Sequence, residues 1–463
     1  MTNDATPEFD GGHLAQLQEQ LAGTAFQPSD DGYDAARMPW NLSFAGQFPA
    51  LVVMAENVAD ISAAINFANE HDLGVALQAT GHGVIELANG ALLINTANMN
   101  GVTINPAENT AYIEAGAIWG DVLGPAQEAG LAPLLGSSPG VGAVGYTLGG
   151  GMGWLVRKYG LAADNVRSFD VVTAGGVQQR ASATENSDLF WGLLGGRSTF
   201  AAVTGMEIDL FPVSMVYGGS LIYPAELARP ILERYREWIK TTPEELSSSV
   251  ALMNMPPLPF IPEMLRGKSV IMVRACDCSP LEEAKAHFQT WQEGPEPIAN
   301  FLGPMPFSQV EMISQDPQDP MPGYVTGVWI DALDDEVLEA LISHTYPTEG
   351  PPALIFSEVR HVGGAKGRVA PGSNAVCHRQ ESLILETLGL TPSPEIYEQV
   401  VGYTNQYLQA LEPHLNGFYP NFIEGSEAQK VLNRAFSPEA TARLQALKAE
   451  YDPQNRFRYG LEF

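Results

Sequence analysis

"LQATGHGVIEL", residues 77–87, sets His82 between Gly81 and Gly83 directly after a short apolar run. The chain has eight histidines in 463 residues, so one placed in a turn this small asks for a reason. Metal ligand, catalytic base, helix cap and covalent tether for a cofactor are the chemistries open to an imidazole there. The neighbouring segments narrow the choice.

Upstream, "ALVVMAE" (50–56) reads as a strand. In "NVADISAAINFANEHD" (57–72), Val58, Ile61, Ile65 and Phe67 recur at near-helical spacing behind Asn57, a candidate N-cap. "LGVALQATG" (73–81) returns as a strand into a Gly turn. The histidine therefore ends a strand–helix–strand unit. Downstream, "GALLINTANMNGVTINPAENTAYIEAGA" (90–117) alternates apolar and polar residues between turns, as in a run of antiparallel strands. A helix around "IWGDVLGPAQEAG" follows, and then nine glycines between Gly136 and Gly160. Such density serves positive φ or a close approach of backbone to a ligand. "VRSFDVVTAGGVQQRAS" reads as a hairpin, and the strand after "WGLLGGRSTFAAVT" (191–204) closes at Pro212. Beyond about 213, strand and helix patterns alternate on either side of "MNMPPLPFIPEM" (253–264), a rigid Pro- and Met-rich connection.

Bulk properties exclude several classes. A formal charge of −30, from 24 Lys and Arg against 54 Asp and Glu, would repel phosphate backbones and anionic lipid, so nucleic acid and membrane are poor partners. No apolar run is long enough to span a bilayer, and "MTNDATPEFDGG" lacks the features of a secretory leader. A soluble, cytoplasmic protein is expected. Cys276, Cys278 and Cys377 are too few and too isolated for a zinc site or a disulfide framework, and read as reduced thiols. "TLGGGMG" is neither a Walker loop nor a dinucleotide GxGxxG after a first strand.

The order of "ATGHG", "GSSPGVGAVGYTLGGG" (136–151) and "WGLLGGRSTFAAVT" resembles the FAD-linked oxidases of the vanillyl-alcohol oxidase type, specifically the berberine-bridge-enzyme-like group. "RKYGLAADN" (157–165), "DLFW" (188–191), "RHVGGAKGRV" (360–369) and "YDPQNRFR" (451–458) fall where that family places such segments. The resemblance covers nearly the whole chain. It implies an α+β fold: a two-part FAD-binding domain of the PCMH type with an inserted α/β substrate domain built on an antiparallel sheet. The corresponding division is an N-terminal segment 1–25, an FAD-binding domain 26–213, a substrate domain 214–415, and a return to the FAD-binding domain over 416–463.

The same resemblance makes His82 the tether, bonded to the methyl carbon at C8 of the flavin. Gln78, Ala79, Thr80, Gly81 and Gly83 then surround the FAD pyrophosphate, whose anionic oxygens suit the N–H groups of such a turn. Ser138, Val141, Gly142, Ala143 and Gly145 line the cofactor from the second motif, with Gly149, Gly150 and Gly153 behind them. Val203, Tyr419 and Asn421 complete the set. Departures carry information. Ser138 stands where many members have a second, cysteinyl tether, so attachment through His82 alone is expected. Gln78 replaces the usual basic residue, Thr80 and Val144 replace glycines, and Thr199 and Ala201 stand where Asn and Gly are customary. Ala143 is small at the position that gates oxygen in relatives, which implies an oxidase.

For the substrate, "LIFSEVRHVGG" (354–364) reads as a strand with Phe356, Glu358 and Arg360 on one face. Glu358 is the expected proton acceptor, a role suited to a carboxylate with a raised pKa; an edge-strand carboxylate or an ion pair with Arg360 is the bland alternative. In "GFYPNF" (417–422), Tyr419 and Asn421 are expected on one side of a strand and Phe418 and Phe422 on the other. Tyr146 is a further candidate for the pocket wall, and His378 and Arg379 fit either pocket or core. The expected activity is hydride removal from an alcohol, amine or carbohydrate-like secondary metabolite to flavin N5, with O2 giving peroxide. The rivals are a flavin monooxygenase or oxidative cyclase, and a flavin-binding protein without catalysis. A small-molecule substrate, O2 and a monomer or homodimer complete the expectation.

Overall fold

The computed structural model describes residues 9, 11–259 and 261–463. Most of the opening stretch on which the leader expectation rests, and Phe260 in the Pro-rich connection, lie outside the described residues.

Three sheets organise the chain. The first holds β1 (Thr24–Phe26), β2 (Leu51–Met54), β3 (Val75–Gln78) and β4 (Leu92–Asn95) in the order β1-β2-β4-β3. The helix Val58–Glu70 crosses from β2 to β3, capped by Asn57 Oδ1, which accepts from the N–H of Ala59 and Asp60; such a cap contributes about 1 kcal/mol. Its Ile61, Ala64 and Ile65 pack on Leu51, Val53, Leu92 and Ile94. One expectation is corrected here: β4 is parallel to both β2 and β3 and not the first of an antiparallel run. All four of its residues are buried, so the slot between two parallel strands suits it better than a half-solvated hairpin.

The antiparallel run begins one strand later. β5 (Val102–Asn105), β6 (Thr110–Glu114), β7 (Val166–Thr173), β8 (Gln178–Ser182) and β9 (Ala201–Asp209) form a sheet in the order β5-β6-β9-β7-β8. The glycine-rich segment and the helix Ala143–Leu148 lie between β6 and β7 in the chain.

The third sheet is antiparallel, with nine strands: β10 (Met215–Pro224), β11 (Leu246–Asn254), β12 (Ser269–Asp277), β13 (Ala299–Asn300), β14 (Gly303–Pro306), β15 (Gly323–Ile330), β16 (Phe356–His361), β17 (Leu383–Leu390) and β18 (Leu415–Phe418). Its path runs β13-β10-β12-β11-β16-β17-β15-β18, with β14 also paired to β10. β16 is therefore central, and Glu358 is no edge-strand residue. The strand expected through Tyr419 and Asn421 ends at Phe418, and Pro420–Phe422 form a short helical turn. Pro420 has no N–H to extend a ladder. Phe422 consequently shares the Tyr419–Asn421 wall of the cavity described next, and does not face away from it. No helix among the described residues is long and apolar enough to cross a membrane.

Candidate active site

One cavity of about 770 Å³ runs from the turn after β3 to the face of the nine-stranded sheet. The turn leaves the carboxyl end of a parallel strand, the usual ligand position beside such sheets. Gly81 sits at φ +74°, and a Cβ there would come within 2.6 Å of Pro39, so the position requires glycine. Trp40 and Asn41 donate their N–H groups to the carbonyls of Thr80 and Gly81 at 2.8 and 3.1 Å. The N–H groups of Thr80, Gly81, His82 and Gly83 have no acceptor among the described residues. Four successive unpaired main-chain donors on a cavity wall form a cradle for an anion.

His82 is stacked on Trp40, with ring centroids 4.3 Å apart and planes 15° from parallel. Its Nδ1 lies 2.8 Å from Thr80 Oγ1, and Nε2 has no partner among the described residues. Burial pulls the imidazole pKa down to about 4. The ring is thus neutral at pH 7, and in the tautomer that donates Nδ1–H to Thr80 the lone pair resides on Nε2. Gln78 is buried in a chain of neutral amides: Gln47 Nε2 donates to its Oε1 at 2.9 Å, and its own Nε2 donates to Met38 O at 3.2 Å. It brings no charge to the cavity.

The second motif divides in two. Ser138, Val141, Gly142, Gly145 and Tyr146 line the cavity. Gly149, Gly150 and Gly153 do not; they make room for other parts of the protein. A Cβ on Gly149 would lie 1.8 Å from Asn421 Oδ1, one on Gly150 3.1 Å from the Tyr419 hydroxyl, and one on Gly153 1.7 Å from Leu135 O. Asn421 Nδ2 then donates to Tyr146 O at 2.8 Å, locking the tail onto this segment. Ala143 and Val203 are buried in the core and also stay out of the cavity lining. Tyr146 and Tyr419 do line it; the Tyr146 hydroxyl is buried without a hydrogen-bond partner among the described residues, while the Tyr419 hydroxyl lies beside the Gly151 N–H and the Asn421 side chain. Burial raises both phenol pKa values.

At the sheet end, four ionisable groups meet. Glu358 Oε1 accepts from Ser249 Oγ at 2.5 Å and Arg274 Nη1 at 3.0 Å, and its Oε2 lies 3.0 Å from Arg360 Nη2. Glu386 stands directly opposite Glu358 in the β16–β17 register. Arg360 Nη2 comes within 2.6 Å of Glu386 Oε2, yet that oxygen has no partner in hydrogen-bond alignment. Burial favours the neutral form of both carboxyls. For Glu358 it is outweighed by Arg360, Arg274 and the donated hydrogen bonds, which hold its pKa below the ordinary carboxylate range. For Glu386 burial dominates; Arg360 offsets it only partly and the neighbouring Glu358 adds to it, so its pKa is raised. Two buried carboxyls side by side cannot both ionise freely. The expectation of a raised pKa on Glu358 is therefore corrected: its donors pin the negative charge, and the titratable partner is Glu386.

Glu386 escaped sequence reading although "LILETLGL" carries it as a lone charge in an apolar strand, and "SVIMVRAC" shows Arg274 the same way. Buried carboxylate and guanidinium groups in such runs need each other. The connection 253–264 contributes Met253, Met255, Leu258, Ile261 and Met264 to an apolar wall, as its composition implied. His378 and Arg379 belong to the packing: His378 Nε2 pairs with Arg434 O, and Arg379 grips Asp164 with two 2.8 Å bonds.

Residues 49–182 match the FAD binding domain family. The chain is 25% identical over 448 residues to an FAD-linked oxidoreductase of Dictyostelium discoideum, covering 95% of this chain and 94% of that protein. It is 25% identical over 458 residues to (R)-6-hydroxynicotine oxidase of Paenarthrobacter nicotinovorans, covering 95% and 96%. Among solved structures, BBE-like 1 of Physcomitrella patens superposes with a TM-score of 0.84 at 20% identity, over 97% of this chain and 99% of that one. The last comparison shows that the two chains share this mixed α+β fold.

Proposed function

We propose, for a chain that belongs to the FAD-linked oxidases of the berberine-bridge-enzyme-like, PCMH-type group, that His82 is the single covalent attachment point of its FAD and that Glu386 is the base for substrate oxidation. The observation that carries this reading is the one continuous cavity, with the unpaired donors of Thr80–Gly83 at one end and the Glu358–Glu386 pair at the other. When bound, FAD supplies the two-electron chemistry, accepting hydride at flavin N5 and being reoxidised by O2 to give hydrogen peroxide.

The protein's own residues do the rest. The turn holds the cofactor's diphosphate on main-chain donors, while the neutral His82 ring, fixed by Thr80 and Trp40, presents Nε2 for attachment. A thiol tether is not available, since Ser138 occupies the lining and none of the three cysteines reaches it. Glu386 takes the proton from the substrate's O–H or N–H as its C–H hydride leaves. Glu358 stays ionised and fixes Arg360 beside that base. The Tyr146 hydroxyl, without a partner among the described residues, and the Tyr419 hydroxyl orient the substrate's polar atom, and the methionine wall keeps bulk water from the reacting centre. An alcohol, amine or carbohydrate-like small molecule is the substrate class; oxidation of 6-hydroxynicotine in a relative's name is in keeping with an amine. A cytoplasmic setting belongs to the same reading, supported by three cysteines outside any disulfide.

The test is acid denaturation of the purified protein. Yellow colour should stay with the precipitate, and in His82→Ala it should move to the supernatant. Free flavin in the supernatant of the parent would remove the tether, and stoichiometric peroxide release during turnover checks the use of O2.

A further inference from the structure

Three arginines line the cavity, with no lysine among its lining residues. Arg274 and Arg360 are paired with Glu358 and Glu386 at the sheet end. Arg197 alone forms no ion pair among the described residues. Its hydrogen bonds among the described residues are long ones, Nη1 to Pro420 O at 3.4 Å and Nη2 to Gly83 O at 3.3 Å. A guanidinium has five donors and no way of shedding its charge; two distant carbonyls leave it under-satisfied. Burial lowers its pKa only to about 10, so it remains a cation. Glu424, the carboxyl nearest in electrostatic terms, is itself pushed up to about 8 by burial and gives little negative charge in return.

The backbone supplies a second, independent observation. Arg197 lies at φ +60°, ψ −159°, a region that is essentially reserved for glycine and is strained for any side chain. Gly195 and Gly196 precede it, yet an arginine holds the position itself. The side chain therefore serves something that offsets the strain, and the carbonyl it reaches belongs to Gly83, in the same turn whose four N–H groups are unpaired.

We infer that Arg197 is the countercharge for the diphosphate of FAD, completing with the N–H groups of Thr80–Gly83 an anion site in which Gln78 supplies no cation. The inference rests on FAD occupying this cavity, and it adds a residue that neither the turn nor the glycine motif reveals. In a protein of net charge −30, a bound dianion needs a local cation more than it would in a neutral one.

Arg197→Gly and Arg197→Lys, each in the His82→Ala background so that binding is reversible, test this by titration of the apoprotein with FAD. Glycine fits the backbone, so the Arg197→Gly apoprotein should melt no lower than its parent, and somewhat higher. Its affinity for FAD should nonetheless fall by roughly 10- to 100-fold, the size of a lost charge-assisted hydrogen bond. Lysine keeps the charge and should recover most of the loss, with the flavin midpoint potential unchanged throughout. Unaltered affinity in Arg197→Gly overturns the inference, and so does an equal loss in both variants, which would mark a purely structural strut. A shifted potential at constant affinity would place the cation at the flavin ring and overturn it as well. If the His82→Ala apoprotein takes up no FAD at all, the cofactor reading itself fails, and that outcome is separate from the other three.

Discussion

The two ends of the cavity are built by different means. At the turn after β3, recognition is main-chain work: four amides, glycines that let the chain pass, and one arginine on a glycine's backbone. At the nine-stranded sheet, it is side-chain work: Ser249, Arg274, Glu358, Arg360 and Glu386 come from four strands and meet through register. A main-chain cradle serves a ligand that never changes. Side chains across a sheet can be exchanged one at a time without disturbing the frame, which is what divergent substrates demand.

Substitutions at each end should therefore fail differently. The largest effect is expected from Glu386→Gln, which removes the base: kcat/KM should fall by about 10²- to 10⁴-fold, and the acid limb of the pH–rate profile should vanish. Its stability signature has the opposite sense. The folded-state pKa of Glu386 is raised, so its contribution is present below the unfolded value and is lost as pH rises through the folded one. The amide escapes that loss, and thermal melts should show the variant gaining on the parent as the solution is made more alkaline.

Glu358→Gln comes next and acts on stability. It leaves Arg274 buried without its carboxylate, at a cost of about 3–5 kcal/mol, readable in a denaturant titration. An unchanged midpoint would mean that the two ends are not so different after all. Gly149→Ala sharpens the contrast from the other side. The added methyl meets Asn421 at 1.8 Å, and the overpacking should cost about 1–3 kcal/mol, read as a lower melting temperature and a lower yield of covalently bound FAD. The smallest effect belongs to Thr80→Val, which removes the His82 Nδ1 partner, a net loss of about 0.5–1.5 kcal/mol. Its readout is slower covalent incorporation of FAD into apoprotein, with a normal yield at the end.

The same division governs what could be read from the sequence. The turn at 77–87 and the segment 136–151 are contiguous, and their glycines signal close approach wherever they occur, so their place on the cavity wall was legible. Even there, contiguity misled: Gly149, Gly150 and Gly153 look like cofactor glycines but accommodate Tyr419, Asn421 and Leu135. At the sheet end, Glu358 was found on its own strand. Its partner Glu386 is its neighbour only through the β16–β17 pairing, and a single strand shows neither register nor the donors that decide which carboxyl keeps its proton. The central place of β16 was hidden for the same reason. Alternation likewise says nothing about whether a buried strand such as β4 pairs parallel or antiparallel.

The lock between Asn421 and Tyr146 spans 275 positions of sequence, and Val75 at the start of β3 donates to the carbonyl of Arg456. During synthesis the chain would have to emerge past Asn421 before the first closure could form and past Arg456 before the second. Such distant contacts are slow to assemble. Cofactor loading is thus expected only after these closures, and a chain cut before Leu415 should keep the glycine motifs yet fail to hold its colour.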